Sequence, residues 1–181
     1  MKYEIERKVV SLSRNKAIIF GSSVAKRMIR NFEEFSAETG HAGISLLYQA
    51  IYYAWSVVEN VEFGAKISSE KCYNAAPDSE EFVSLLTSSA IDAANACGIL
   101  IDFVNGSLNS VRDISKLSID SVDMIIQNKT GVEIGDIESY IEHHPEMIHE
   151  FNEQLYVLNL IENLDLRDPK SVVGVCLEIF K

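Results

Sequence analysis

The sequence predicts an all-α protein, a single-domain compact helical bundle of about seven to nine helices, and three observations carry that expectation. The chain has 181 residues, 47% of them hydrophobic and 24% charged, enough to bury one sizeable core. Only 3 Pro and 9 Gly punctuate it, too few for the many turns of an all-β chain. Apolar residues recur at helical spacing and seldom alternate with polar ones. No internal repeat, low-complexity tract or linker divides residues 1–181, so one helical domain is expected.

After a short N-terminal segment, Ala17, Phe20, Val24 and Met28 form an inward stripe that predicts a helix over 13–29. Asn31 is a candidate cap for a second, short helix through Phe32 and Phe35, ended by Gly40. The clearest period follows. Ile44, Leu47, Tyr48, Ile51, Trp55 and Val58 predict a helix over 44–58, with Gly64 as a break and a weaker helix over 66–76. Pro77 stops that helix, and Asp78 with Glu81 reads as a capping box starting a further one.

The stretch 88–104 is apolar or small over nearly its whole circumference and is the expected central helix, closed by Gly106. Asn109 or Ser110 caps the next, which buries Val111, Ile114, Val122 and Ile125 and stops at Gly131. A short helix over 136–142 precedes Pro145. A long one over 146–164 carries Ile148, Phe151, Leu155 and Leu158 as its inward seam. Asp168-Pro169 starts a final helix that buries Val172, Val175, Cys176 and Ile179.

The formal net charge of −11 is unevenly spread. Residues 1–30 hold eight Lys or Arg against Glu4 and Glu6, whereas nine acids and no Lys or Arg lie between Lys129 and Arg167. Two arrangements fit: the basic N-terminal helix packs beside acidic helices of its own domain, or the acidic helices dock a basic protein partner. That overall field disfavours nucleic acid. No run approaches the roughly 18 apolar residues of a membrane span. The charged start MKYEIERKVVSL lacks a signal-peptide pattern, and Cys72, Cys97 and Cys176 form no CxxC pair. Free thiols and a cytoplasmic location are the expectation.

Three constellations could carry chemistry. Glu146-Met-Ile-His149 and Glu38-Thr-Gly-His41 are E-x-x-H pairs, the half-motif of helical di-iron sites, but Gly40 interrupts one and His149 lies at the edge of a buried stripe. A metal at Glu146 and His149 is therefore disfavoured, and no cofactor is expected. Nucleophile and phosphate-loop motifs are missing, which leans against an enzyme. On the central helix Ser88, Asp92, Asn95 and Asp102 fall within an arc of roughly 80°. Asp92 and Asp102 are about 15 Å apart along the axis, too far to share a proton or a metal. Arg27 is the expected partner of Asp92, and Asp102 is assigned to the surface.

Ala25-Lys26-Arg27-Met28-Ile29-Arg30-Asn31-Phe32, with Phe35 and Thr39-Gly40, resembles the E-R-M-x-P-N-Y…F…T-G-F-G-D stretch of the YjaG-like bacterial family, domain-of-unknown-function family 416. Ala90-Ile91-Asp92-Ala93 is similar to its A-I-D-A motif. Ile114-Ser115-Lys116, Ser118-Ile119 and Val122 are similar to its serine-bearing helix. The resemblance spans about residues 12 to 163 and implies a compact all-α bacterial domain with no assigned activity. Lys26 stands where the family has an acid, Arg30 where it has proline, and His41-Ala42-Gly43 where it has F-G-D.

Function is therefore expected to be non-catalytic: an interaction or adaptor protein, immunity-like in charge, meeting a basic partner through Glu138, Glu142, Glu146, Glu150 and Glu153. The alternative is a small-molecule-binding protein or enzyme with a pocket around Arg27, Trp55, Asp92 and Asn95. The complementary ends could also join two copies as a homodimer.

Overall fold

A computed structural model describes residues 1–107, 110–130 and 137–179. Among the described residues there are nine helices and no strand: α1 (Lys2–Val10), α2 (Arg14–Thr39), α3 (Ile44–Glu59), α4 (Ser69–Tyr73), α5 (Thr87–Val104), α6 (Val111–Thr130), α7 (Ile137–Glu142), α8 (Pro145–Glu162) and α9 (Pro169–Ile179). None of these helices is long and apolar enough to cross a membrane.

The central helix is α5, which packs on α2, α3, α4 and α6. Its small residues make this possible. Ala90, Ala93, Ala94, Ala96 and Cys97 are fully buried, so neighbouring backbones can come close. Gly98 goes further, since a Cβ there would stand 2.3 Å from the Tyr73 ring of α4. Gly21 serves the crossing of α2 with α5 and α6; its Cβ would meet Val111 at 3.1 Å and Leu100 and Ile114 at 3.3 Å.

Two expected helices are one. The chain runs unbroken from Arg14 to Thr39, with Asn31 inside the helix rather than capping a new one. The reason is the stripe itself: Ala17, Phe20, Val24, Met28, Phe32 and Phe35 keep helical spacing throughout and are all buried. Burial of two more phenyl rings outweighs the weak preference of asparagine for a cap. Gly40 ends the helix at φ 76, as expected. The N-terminal segment is also helical, burying Ile5 and Val9.

The region after α3 is less helical than expected. Asn60, at φ 54, ends α3, and only Ser69–Tyr73 is helical within 66–76. The expected capping box at Asp78 builds a single turn, its carboxylate accepting the Glu80 amide at 2.8 Å. No helix can follow because the segment lacks a buried stripe: Val83 and Leu85 are exposed, while Phe82 packs its ring on Phe35 and His41. Ser110 caps α6 by accepting the Arg112 amide at 3.1 Å, and Asp168 caps α9 through the Lys170 amide. The expected stop at Gly131 and cap at Asn109 lie outside the described residues.

On α8 the buried face is Met147, Glu150, Phe151, Gln154, Val157, Leu158 and Ile161. Ile148 and Leu155, expected in the seam, are only half-buried. The face is rotated because it includes a glutamate and a glutamine. On α9, Val172 is buried, but Val175, Cys176 and Ile179 are half-buried. The basic N-terminal end does meet an acid of its own domain: Lys8 pairs with Glu162 at 2.8 Å, and Lys16 donates to the backbone carbonyl of the same residue.

Candidate functional site

A buried ionic network joins α2, α6 and α8. Arg27 donates to Glu150 Oε1 at 2.9 Å, across 123 residues of sequence. The same oxygen accepts from the Ser118 hydroxyl at 2.8 Å and from Gln154 Nε2 at 2.7 Å. Gln154 is held in turn by the Ser115 hydroxyl, 2.6 Å from its Oε1. A carboxylate at 8% residue exposure is tolerable only with such donors, and three of them converge here on one atom.

An open groove of about 480 Å³ lies over this network. Arg27, Met28, Arg30, Asn31 and Glu34 of α2 form one wall, Ser118, Ser121, Val122 and Ile125 of α6 another. The first turns of α8 close it with Pro145, Glu146, His149 and Glu150. The volume is in the range of small-molecule sites. Two groups under the groove have unused hydrogen-bonding capacity: Arg27 Nε and the Ser121 hydroxyl, each buried and without an acceptor or donor in bonding geometry.

Asp92 stands behind Ser121. Burial, opposed by the Ser121 hydroxyl and helped slightly by the charge of Asp120, lifts its carboxyl to about 6. That hydroxyl acts on Asp92 from close by, outside bonding geometry. Arg27, expected to pair with Asp92, pairs with Glu150 instead. Asp102 is not at the surface either. It is half-buried and accepts the Tyr73 hydroxyl at 2.8 Å, a bond that with burial holds Tyr73 protonated.

The structure separates the other expected site residues. Asn95 is half-buried on α5 and does not line the groove. Trp55, 4% exposed, lines a different groove with Lys26, Tyr48, Tyr52 and Cys176. The five glutamates expected to form one acidic face do not share one. Glu138 and Glu142 are exposed, Glu146 is tied to Lys129 at 2.7 Å, Glu150 is inside, and Glu153 is half-buried. His149 is exposed, and among the described residues no group of three or more His, Cys, Asp or Glu is placed to hold a metal ion. His41 turns inward, its Nε2 3.0 Å from the Ala75 carbonyl, among Phe32, Phe35 and Phe82.

Sequence reasoning passed over Glu150 as a buried acceptor and Asn31 as a groove residue, gave Ser115 and Ser118 only as part of the family resemblance, and missed Ser121 and Gln154 altogether. A signal existed: the three serines recur at i, i+3 and i+6 on one face of α6.

Fold and network together define an all-α bundle with an ionic floor beneath an open groove. The chain belongs to the family described as protein of unknown function (DUF416), which matches residues 4–179. A crystal structure of a DUF416 family protein from Shewanella baltica OS155 has the same fold. Its TM-score is 0.83 at 21% identity, covering 97% of this chain and 92% of that one. No curated protein matches the chain.

Proposed function

We propose that this chain is a non-catalytic binding protein that takes a small polar molecule into the groove between α2, α6 and α8. One observation carries the reading. Five polar residues among those that carry the family resemblance, Arg27, Asn31, Asp92, Ser115 and Ser118, lie far apart in sequence yet meet in the network or its immediate surroundings. Packing alone does not require a buried ion pair there, since apolar residues of similar volume often serve a core as well. Glu150 is arranged to hold its donors rather than to take a proton from a substrate, because one oxygen already accepts three bonds. A thermal-shift screen against polar metabolites tests this. At least one compound should raise the Tm of the wild-type protein, and Arg30→Ala should abolish that rise. A library without effect, or a rise that survives Arg30→Ala, refutes it.

A second reading has its own support. Asp120, Asp123, Glu138 and Glu142 edge another groove of about 420 Å³, with Ile119, Ile141, Met147 and Phe151 in its floor. An acidic rim over an apolar floor suits a basic, amphipathic partner segment. Salt-sensitive capture of a partner that is lost with Glu138→Lys and Glu142→Lys would support it, and capture unaffected by these changes would end it.

A further inference from the structure

Which molecule the groove accepts depends on the groups the fold leaves unused. Glu150 Oε1 is engaged by Arg27, Ser118 and Gln154, and Glu146 is held by Lys129. Along the groove that leaves Arg30 and Glu34, opposite charges one turn apart on α2, with no ion pair between them among the described residues. Below them the Ser121 hydroxyl, 2% exposed at the residue level, and Arg27 Nε are buried as polar floor atoms. Met28, Val122, Ile125 and Pro145 supply an apolar strip in the same wall.

We infer that the ligand is a small zwitterion of the amino-acid class, an inference that rests on the binding role proposed for this groove. Its carboxylate meets Arg30, its ammonium meets Glu34, and an aliphatic side chain covers Met28 and Val122. The charge count favours this class over its neighbours. Two guanidinium groups and three carboxylates line the groove, so a dicarboxylate sets its second charge against Glu34 and a polyamine sets its own against Arg27 and Arg30. A molecule with one charge of each sign avoids both conflicts.

Calorimetric titration of the whole chain with leucine, isocaproate and isoamylamine separates the two charges, after a thermal-shift pass over the standard amino acids to choose the best side chain. Removing one charge-assisted hydrogen bond should weaken binding by about tenfold or more. The amino acid should therefore bind at least about tenfold tighter than its desamino and decarboxylated analogues. Arg30→Ala should weaken the amino acid and the acid but not the amine. Glu34→Gln should weaken the amino acid and spare the acid. Both residues are exposed, so both variants fold. If isocaproate binds as tightly as leucine and still depends on Arg30, the zwitterion is wrong while the groove stands. If no amino acid binds but another polar metabolite does so with Arg30 dependence, the outcome is the same. If nothing polar binds, both the ligand class and the binding role fall.

Discussion

At the scale of single residues, Asp92 and Glu150 show how differently two half-hidden carboxylates can be treated. Glu150 is compensated by three donors on one oxygen. Truncating it strands the Arg27 guanidinium and the Ser118 and Gln154 donors, which should cost about 3 kcal/mol. Denaturant unfolding of Glu150→Ala checks this, and the paired change Arg27→Met with Glu150→Met should recover most of the loss. Asp92 has only the partial help of the Ser121 hydroxyl. Its carboxyl is lifted to about 6, so the native state holds a proton that the unfolded chain releases at lower pH. Stability tied to Asp92 is therefore present below the unfolded value near 3.8 and declines as pH rises through about 6. Asp92→Asn should match the wild type near pH 4 and exceed it by about 1 kcal/mol above pH 6, after allowance for the group's partial exposure. Equal stabilities across that window would contradict the account of Asp92.

At the scale of helices, the closest approach is that of α4 to α5. Gly98→Ala drives a methyl group into the body of the Tyr73 ring, which its hydroxyl ties to Asp102. A loss of about 1–3 kcal/mol is expected in thermal or denaturant unfolding. Tyr73→Leu in the same background should return part of it. What was legible in the sequence follows the same logic. The Ile44 to Val58 stripe and the small-residue helix ahead of Gly106 could be read because their burial is apolar and local in sequence. The phase of α8 could not, because hydropathy places Glu150 and Gln154 in water and only a guanidinium 123 residues away makes burial of Glu150 tolerable. The break expected at Asn31 does not occur because one cap residue is a weaker determinant than an uninterrupted apolar stripe.

At the scale of the whole molecule, part of the charge is arranged in pairs within the chain. Lys8 of α1 pairs with Glu162 of α8, and Arg112 of α6 reaches Glu6 of α1 at 3.5 Å. These outer pairs are exposed, so moderate salt should change the unfolding free energy little, by less than about 1 kcal/mol. The Arg27–Glu150 pair is shielded and should not respond. The fold could be anticipated in class because composition and period fix it, but the groove needed three helices to be placed side by side before it existed at all. Arg27, Ser118 and Glu150 become neighbours only through tertiary structure.

The most direct test of the binding role is an amide and arginine Nε–H NMR titration of the wild-type protein with the best ligand from the screen. Shift changes should concentrate at residues 27–34, 118–125 and 145–150, and the Arg27 Nε–H resonance should move with them. Changes centred instead on Trp55 and Tyr52, or on α7, with Arg27 unmoved, would contradict the assignment of the groove.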